Sequence, residues 1–120
     1  MDLQMKARIY HNPKCSKSRI TKALLESEGI ELDVIEYIKT PLNAEAITQL
    51  LSKLSLTAAD LIRAGEAAFK KSGIELTAAN ETSLIELMAK EPRLIERPIV
   101  ETDQMARIGR PPEKVLELFR

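Results

Sequence analysis

A single cysteine, Cys15, stands in the segment His11-Asn12-Pro13-Lys14-Cys15-Ser16-Lys17-Ser18-Arg19. The thiolate is the nucleophilic form of cysteine. A free thiol with a pKa of about 8.5 can fall to roughly 3.5–7.5 at a helix N-terminus or beside cations. Both conditions are suggested here. Pro13 ends whatever precedes it, and a helical pattern opens at Ser16, so Cys15 falls where unpaired backbone N–H groups and the helix dipole favour negative charge. Lys6, Arg8, Lys14, Lys17, Arg19 and Lys22 all lie within the first 25 residues, where Asp2 is the only acid. The alternative is a small buried apolar cysteine. The polar neighbours Asn12, Lys14, Ser16 and Lys17 favour an accessible, reactive sulfur instead.

The residues around Cys15 narrow its chemistry. Ser18 occupies the place of the second sulfur in a C-x-x-C pair, so any partner thiol comes from outside the chain. A phosphatase-type C-x5-R loop needs arginine at position 21, which is Thr21. His11 could act as a base for the thiol or could fix the turn by hydrogen bonding. Three arginines sit at element boundaries: Arg63 near the end of a short helix, Arg97 before Pro98, and Arg110 before Pro111-Pro112. Their planar, permanently charged donors match a tetrahedral oxyanion, and three of them converging on Cys15 would hold such an anion beside its nucleophile.

These residues need a scaffold. Ala7–Tyr10 reads as a short strand. Ile20, Ala23, Leu24 and Ser27 recur at helical spacing up to Gly29, and Leu32–Ile38 reads as a second strand. Two strands joined by a helix imply parallel pairing. Ile47, Leu50, Leu51 and Leu54 mark an amphipathic helix from about Asn43. Thr57–Asp60 can cap a short helix, residues 67–73 continue the helical region, and Asn80 or Thr82 can cap a further helix that Pro92 ends. Residues 98–101 and 106–109 read as a hairpin, and Val115, Leu116 and Phe119 as the inner face of a terminal helix. The expected fold is an α/β sandwich in one domain, residues 1–120. Its four-stranded mixed sheet is covered on both faces, with a helical insertion at about 43–92.

Composition sets outer limits. The 120 residues suffice for one compact domain, and 18 Lys+Arg balance 18 Asp+Glu, so general attraction to nucleic acid or an anionic membrane is not expected. Aromatic residues make up 3%, too few for base-stacking platforms. No apolar run approaches the roughly 20 residues of a membrane span, and the N-terminal segment does not read as a secretory signal, so a cytoplasmic protein is expected. One cysteine and one histidine provide neither an internal disulfide nor a metal site of soft ligands.

The segments Ile9–Arg19, Leu61-Ile62-Arg63, Glu96-Arg97-Pro98-Ile99-Val100 and Arg107-Ile108-Gly109-Arg110-Pro111 together resemble the glutaredoxin-coupled arsenate reductase family, in its short branch with H-N-P-x-C-S-K-S-R and A-R-I-G-R-P-P motifs. The resemblance implies a thioredoxin-like fold with sheet order 2-1-3-4, a helical insertion and a cis peptide before Pro98. It also implies that Cys15 is the nucleophile, that His11 influences its ionisation, and that Arg63, Arg97 and Arg110 bind the oxyanion. The implied reaction runs from a thiol–arsenate adduct, through glutathione as co-substrate and glutaredoxin as partner, to arsenite, with no bound cofactor. Two other functions compete. One is a glutathione-dependent thiol oxidoreductase with another substrate; the other is a regulator of the same wider fold that binds RNA polymerase, although such regulators commonly carry the C-x-x-C that Ser18 interrupts.

Overall fold

A computed structural model describes residues 5–119. The chain divides into two compact units: one holds the chain up to Thr40 and again from Arg97, and the other is Pro41–Glu96.

The first unit contains a four-stranded sheet. Its elements are β1 (Lys6–Tyr10), α1 (Ser16–Ser27), β2 (Glu31–Ile35), β3 (Ile99–Glu101), β4 (Ala106–Ile108) and a terminal 3₁₀ helix (Pro112–Phe119). The strand order is β2-β1-β3-β4. β1 pairs parallel with β2, Ile9 opposite Val34, and antiparallel with β3, Ile9 opposite Val100; β3 and β4 pair antiparallel. This is the mixed, thioredoxin-like sheet that the motifs imply.

β1 alternates. Ala7 and Ile9 point into a core shared with Leu25 of α1, Ile30, Val100 and Val115, so α1 and the terminal helix pack on the same face of the sheet. On the opposite face, Lys6 and Arg8 pair with Glu31 and Asp33 of β2, and the Tyr10 hydroxyl donates to Glu101 at 2.7 Å. Charges at alternate positions make that half of the sheet unsuited to an apolar cover.

Three local expectations are corrected. β2 ends at Ile35, not Ile38, because residues 36–40 turn back, with the N–H groups of Lys39 and Thr40 both reaching the Glu36 carbonyl at 3.0 Å. The inner face of α1 is Ser18, Thr21 and Leu25, whereas Ile20 is 52% exposed and Ala23 and Ser27 lie outside. The terminal segment is a 3₁₀ helix that still buries Val115, and it opens with a Lys114 N–H to Pro111 carbonyl bond of 3.0 Å. The hairpin loop closes through Thr102, whose N–H donates to the Met105 carbonyl at 2.8 Å.

The second unit holds α2 (Ala44–Leu54), α3 (Ala58–Leu61), α4 (Ala67–Ser72), a 3₁₀ turn (Ala78–Asn80), α5 (Glu81–Lys90) and a second 3₁₀ turn (Pro92–Leu94). α2 starts at Asn43, whose side chain accepts the Ala46 N–H at 2.8 Å, and buries Ile47, Leu50, Leu51 and Leu54. α3 carries a capping box in which Thr57 and Asp60 satisfy each other's backbone N–H. The α3 N-terminus is tied to α5 by the Glu81 carboxylate, which accepts the Ala58 N–H at 3.0 Å. Asn80 holds the N-cap position of α5, but its side chain donates to the Glu75 carbonyl instead of capping. No helix of the described residues is long and apolar enough to cross a membrane.

Candidate active site

The site grows out of the end of β1. The His11 N–H still bonds the Ile35 carbonyl of β2 at 2.8 Å, and Asn12-Pro13 then leave the sheet. Asn12 builds the turn twice: its carbonyl accepts the Cys15 N–H at 2.9 Å, and its side-chain oxygen accepts the Lys14 N–H at 3.0 Å. Arg19 closes the turn from the helix side by donating to the Pro13 carbonyl at 2.8 Å. Cys15 is the N-cap residue of α1, in extended conformation, and no acid occupies the first helical turn.

The sulfur is less accessible than expected, since Cys15 is only 9% exposed. It is nevertheless not an apolar core cysteine. Burial pushes its pKa up, but the Arg97 guanidinium beside it and the backbone N–H groups of Ser18 and Lys17 favour the thiolate, and the net effect holds the thiol below its ordinary value. A thiolate so placed is stabilised as an anion and shielded from bulk solvent.

Arg97 is delivered by the strand opposite. The Arg97–Pro98 and Arg110–Pro111 peptides are both cis. Arg110 lies beside Arg97, its Nε donating to the Arg97 carbonyl at 2.8 Å. Gly109 makes this arrangement possible. Its N–H bonds the Pro98 carbonyl at 2.9 Å, and a Cβ at this position would lie 2.7 Å from Thr21 Oγ1 and 2.9 Å from Pro98 Cγ. Only a residue without a side chain lets the end of β4 approach both α1 and Pro98 so closely.

His11 is buried at 7% exposure, and its Nδ1 lies 2.6 Å from Ser18 Oγ. Ser18 Oγ also accepts the Asn12 N–H at 3.0 Å. Burial, followed by the positive charge of Lys22, holds the His11 pKa below 6.5, so the ring is neutral at pH 7. Of the two readings of His11, the hydrogen bond that fixes the turn is the one with a partner in view. Sequence reasoning treated Ser18 only as a missing cysteine. Its signal was a small polar residue one helical turn past the N-cap, on the inner face of an otherwise amphipathic helix.

Arg63 belongs to the second unit. Its N–H donates to the Leu94 carbonyl at 2.7 Å, next to an isolated bridge between Ile62 and Ile95, and its guanidinium pairs with Glu66 and with Glu96, the latter at 3.8 Å. The structure thus brings Cys15, His11, Arg97 and Arg110 together in the first unit and holds Arg63 within the second. Among the described residues, no cluster of three or more His, Cys, Asp or Glu is arranged to hold a metal.

The model of the ArsC family matches residues 10–118, which includes each of these positions. The chain belongs to the ArsC family. It is 45% identical over 112 residues to an uncharacterized protein of Escherichia coli K12, YfgD, covering 92% of this chain and 94% of that one. It is 36% identical over 109 residues to an arsenate reductase of Neisseria meningitidis serogroup A, covering 90% and 93%. Among solved structures, an arsenate reductase from Vibrio cholerae superposes with a TM-score of 0.88 at 44% identity, covering 96% of this chain and 98% of that one. The ArsC fold therefore accounts for the sheet order.

Proposed function

We propose that the protein reduces arsenate to arsenite, with Cys15 as nucleophile, glutathione as reducing co-substrate and glutaredoxin as the partner that regenerates the thiol. One observation carries the proposal: the Arg97 guanidinium is placed where it favours the Cys15 thiolate, and Arg110 is bonded to the Arg97 backbone. A thiolate approaching a multiply charged oxyanion is repelled, and the positive charge of Arg97, with Arg110 bonded to its backbone, offsets that repulsion. The arsenate reductases among the relatives support the choice of substrate.

The steps balance as follows. The Cys15 thiolate attacks arsenic and an arsenate oxygen leaves as water, giving a sulfur–arsenic(V) bond. A glutathione thiolate then attacks the Cys15 sulfur. The sulfur–arsenic bonding pair stays on arsenic, which leaves as arsenite, and a Cys15–glutathione disulfide remains. A glutaredoxin thiolate attacks the glutathione sulfur and releases Cys15 as thiolate. Ser18, where a second cysteine would otherwise resolve the adduct internally, makes the external thiol necessary. In this scheme Arg97 and Arg110 hold the oxyanion, His11 acts through Ser18 on the geometry of the turn, and no bound cofactor takes part. Arg63 is assigned as a third oxyanion ligand on the resemblance alone. A cytoplasmic setting suits the scheme, since glutathione there keeps a lone thiol reduced.

Purified protein with arsenate, glutathione and glutaredoxin should release arsenite, and Cys15→Ser should abolish release. No arsenite from a protein whose Cys15 still reacts with thiol probes would leave thiol chemistry and remove arsenate as its substrate. Binding to RNA polymerase that survives Cys15→Ser would favour the regulator instead.

A further inference from the structure

The proposed scheme requires a thiol from solution to reach a sulfur that is nearly buried. The exposed residues next to it in the chain are Pro13, Lys14, Ser16 and Lys17. Arg19, also exposed, is occupied in bracing the Pro13 carbonyl, and Lys22 pairs with Glu26 at 2.9 Å. The ammonium groups of Lys14 and Lys17 make no ion pair among the described residues, and no acid lies in the turn or in the first turn of α1.

Lys14 immediately precedes Cys15 and Lys17 follows it by two, so one cation comes from each side of the sulfur along the chain. Neither is needed to ionise Cys15 through its side chain, because Arg97 and two backbone N–H groups already do so. Their backbone positions are set by the turn and by α1, which leaves both side chains available to an incoming molecule. An overall charge of zero makes this local excess a feature of one place on the surface, not a by-product of a basic protein.

We propose that Lys14 and Lys17 form a recognition site for an anionic thiol, taking one carboxylate each from a tripeptide such as glutathione, whose carboxylates flank its thiol on both sides. This rests on the reading of Cys15 as the reacting sulfur but not on arsenate as the substrate. It names what selects the co-substrate: paired positive charges beside the cysteine in the chain, distinct from the arginines proposed to hold the oxyanion. Exposed charge pairs are weak singly and act mainly on encounter, so the effect is a preference among thiols.

The test avoids arsenate. Cys15 is converted to its mixed disulfide with 2-thiopyridine, and release of the pyridinethione is timed as a thiol attacks the Cys15 sulfur. The attacking thiols are glutathione, glutathione diethyl ester and 2-mercaptoethanol. In the wild type, glutathione should react faster than its diethyl ester by about three- to tenfold once thiolate content is matched, and the advantage should shrink as salt is raised. Lys14→Gln and Lys17→Gln should each reduce that ratio, and the double variant should bring it close to one. Changes in the reactivity of Cys15 itself affect every thiol alike and cancel in the ratio. A wild-type ratio near one, or a double variant that keeps the wild-type ratio, overturns the proposal. Loss of arsenite production with the thiol preference intact would instead count against the substrate and leave the lysine site standing.

Discussion

Replacing Gly109 by alanine tests whether the close approach of β4 to α1 and Pro98 organises the active site. The added methyl would stand 2.7 Å from Thr21 Oγ1, 2.9 Å from Pro98 Cγ and 3.2 Å from Thr21 Cγ2. Ordinary contact between such atoms begins near 3.5 Å, so two neighbours must each retreat by about half an ångström or more. Neither is free to do so. Thr21 is fully buried and its hydroxyl donates to the Lys17 carbonyl at 2.8 Å, while Pro98 has a rigid ring and its carbonyl is bonded to the Gly109 N–H. Overpacking of this kind costs about 1–3 kcal/mol. In a chain of this size each kcal/mol lowers Tm by about 4 °C. Urea unfolding should therefore show a lower midpoint at unchanged slope.

A second variant separates crowding from general damage. Thr21 supplies two of the three contacts, so Thr21→Ala should remove much of the penalty, and the Gly109→Ala/Thr21→Ala double variant should be more stable than the sum of the single effects by at least about 0.5 kcal/mol. Because Pro98 follows Arg97, displacing it should also weaken the stabilisation of the Cys15 thiolate by Arg97. The pH midpoint for alkylation of Cys15 in Gly109→Ala should then move up. Wild-type stability in Gly109→Ala, or strict additivity in the double variant, would refute the idea that this glycine is required by close packing.

Arg97→Ala should raise the pH midpoint of Cys15 alkylation and lower arsenate turnover by about 10²–10³-fold, the usual effect of losing one well-placed oxyanion donor; Arg110→Ala should lower turnover while moving the alkylation midpoint less. Equal loss of small-disulfide exchange in both variants, with the fold intact, would argue against an anion-holding role. Because the folded Cys15 pKa lies below that of the unfolded thiol, the unfolded chain binds the extra proton between the two values. The Cys15 contribution to stability should be complete above the unfolded pKa and disappear as pH falls through the folded one, and unfolding of wild type against Cys15→Ser across that window measures it. His11 is also held below its ordinary value, so its unfolded form takes up a proton first as pH drops below 6.5. Wild-type stability should decline there by more than that of His11→Gln, and equal declines would place the acid sensitivity elsewhere. Ser18→Ala leaves the buried His11 Nδ1 and the Asn12 N–H without their shared partner and should cost about 1–3 kcal/mol in urea unfolding; a change within error would show that water replaces the hydroxyl.

Much of this protein was written in local pattern. The strand ending at Tyr10, the Asn12-Pro13 turn, the helix start near Asn43 and the cap at Thr57–Asp60 could all be read from the sequence, because backbone hydrogen bonding among near neighbours decides them. Cys15 at the start of α1 followed from the same logic. Parallel pairing of the first two strands followed from the connecting helix, and the order of all four was implied by the family resemblance. The face of α1 was misread for a physical reason: at its N-terminal end the inner positions Ser18 and Thr21 are satisfied by His11, Asn12 and Lys17, so burial there carries no hydrophobic signature, and apolar Ile20 is left outside. Only the tertiary structure decided what surrounds the sulfur. Arg97 is 82 positions away in the chain, and it reaches Cys15 because β3 lies antiparallel to β1 in the sheet. Residue types set which groups could ionise or donate; pairing of distant strands, and a glycine small enough to let them close on a helix, determined which of those groups meet.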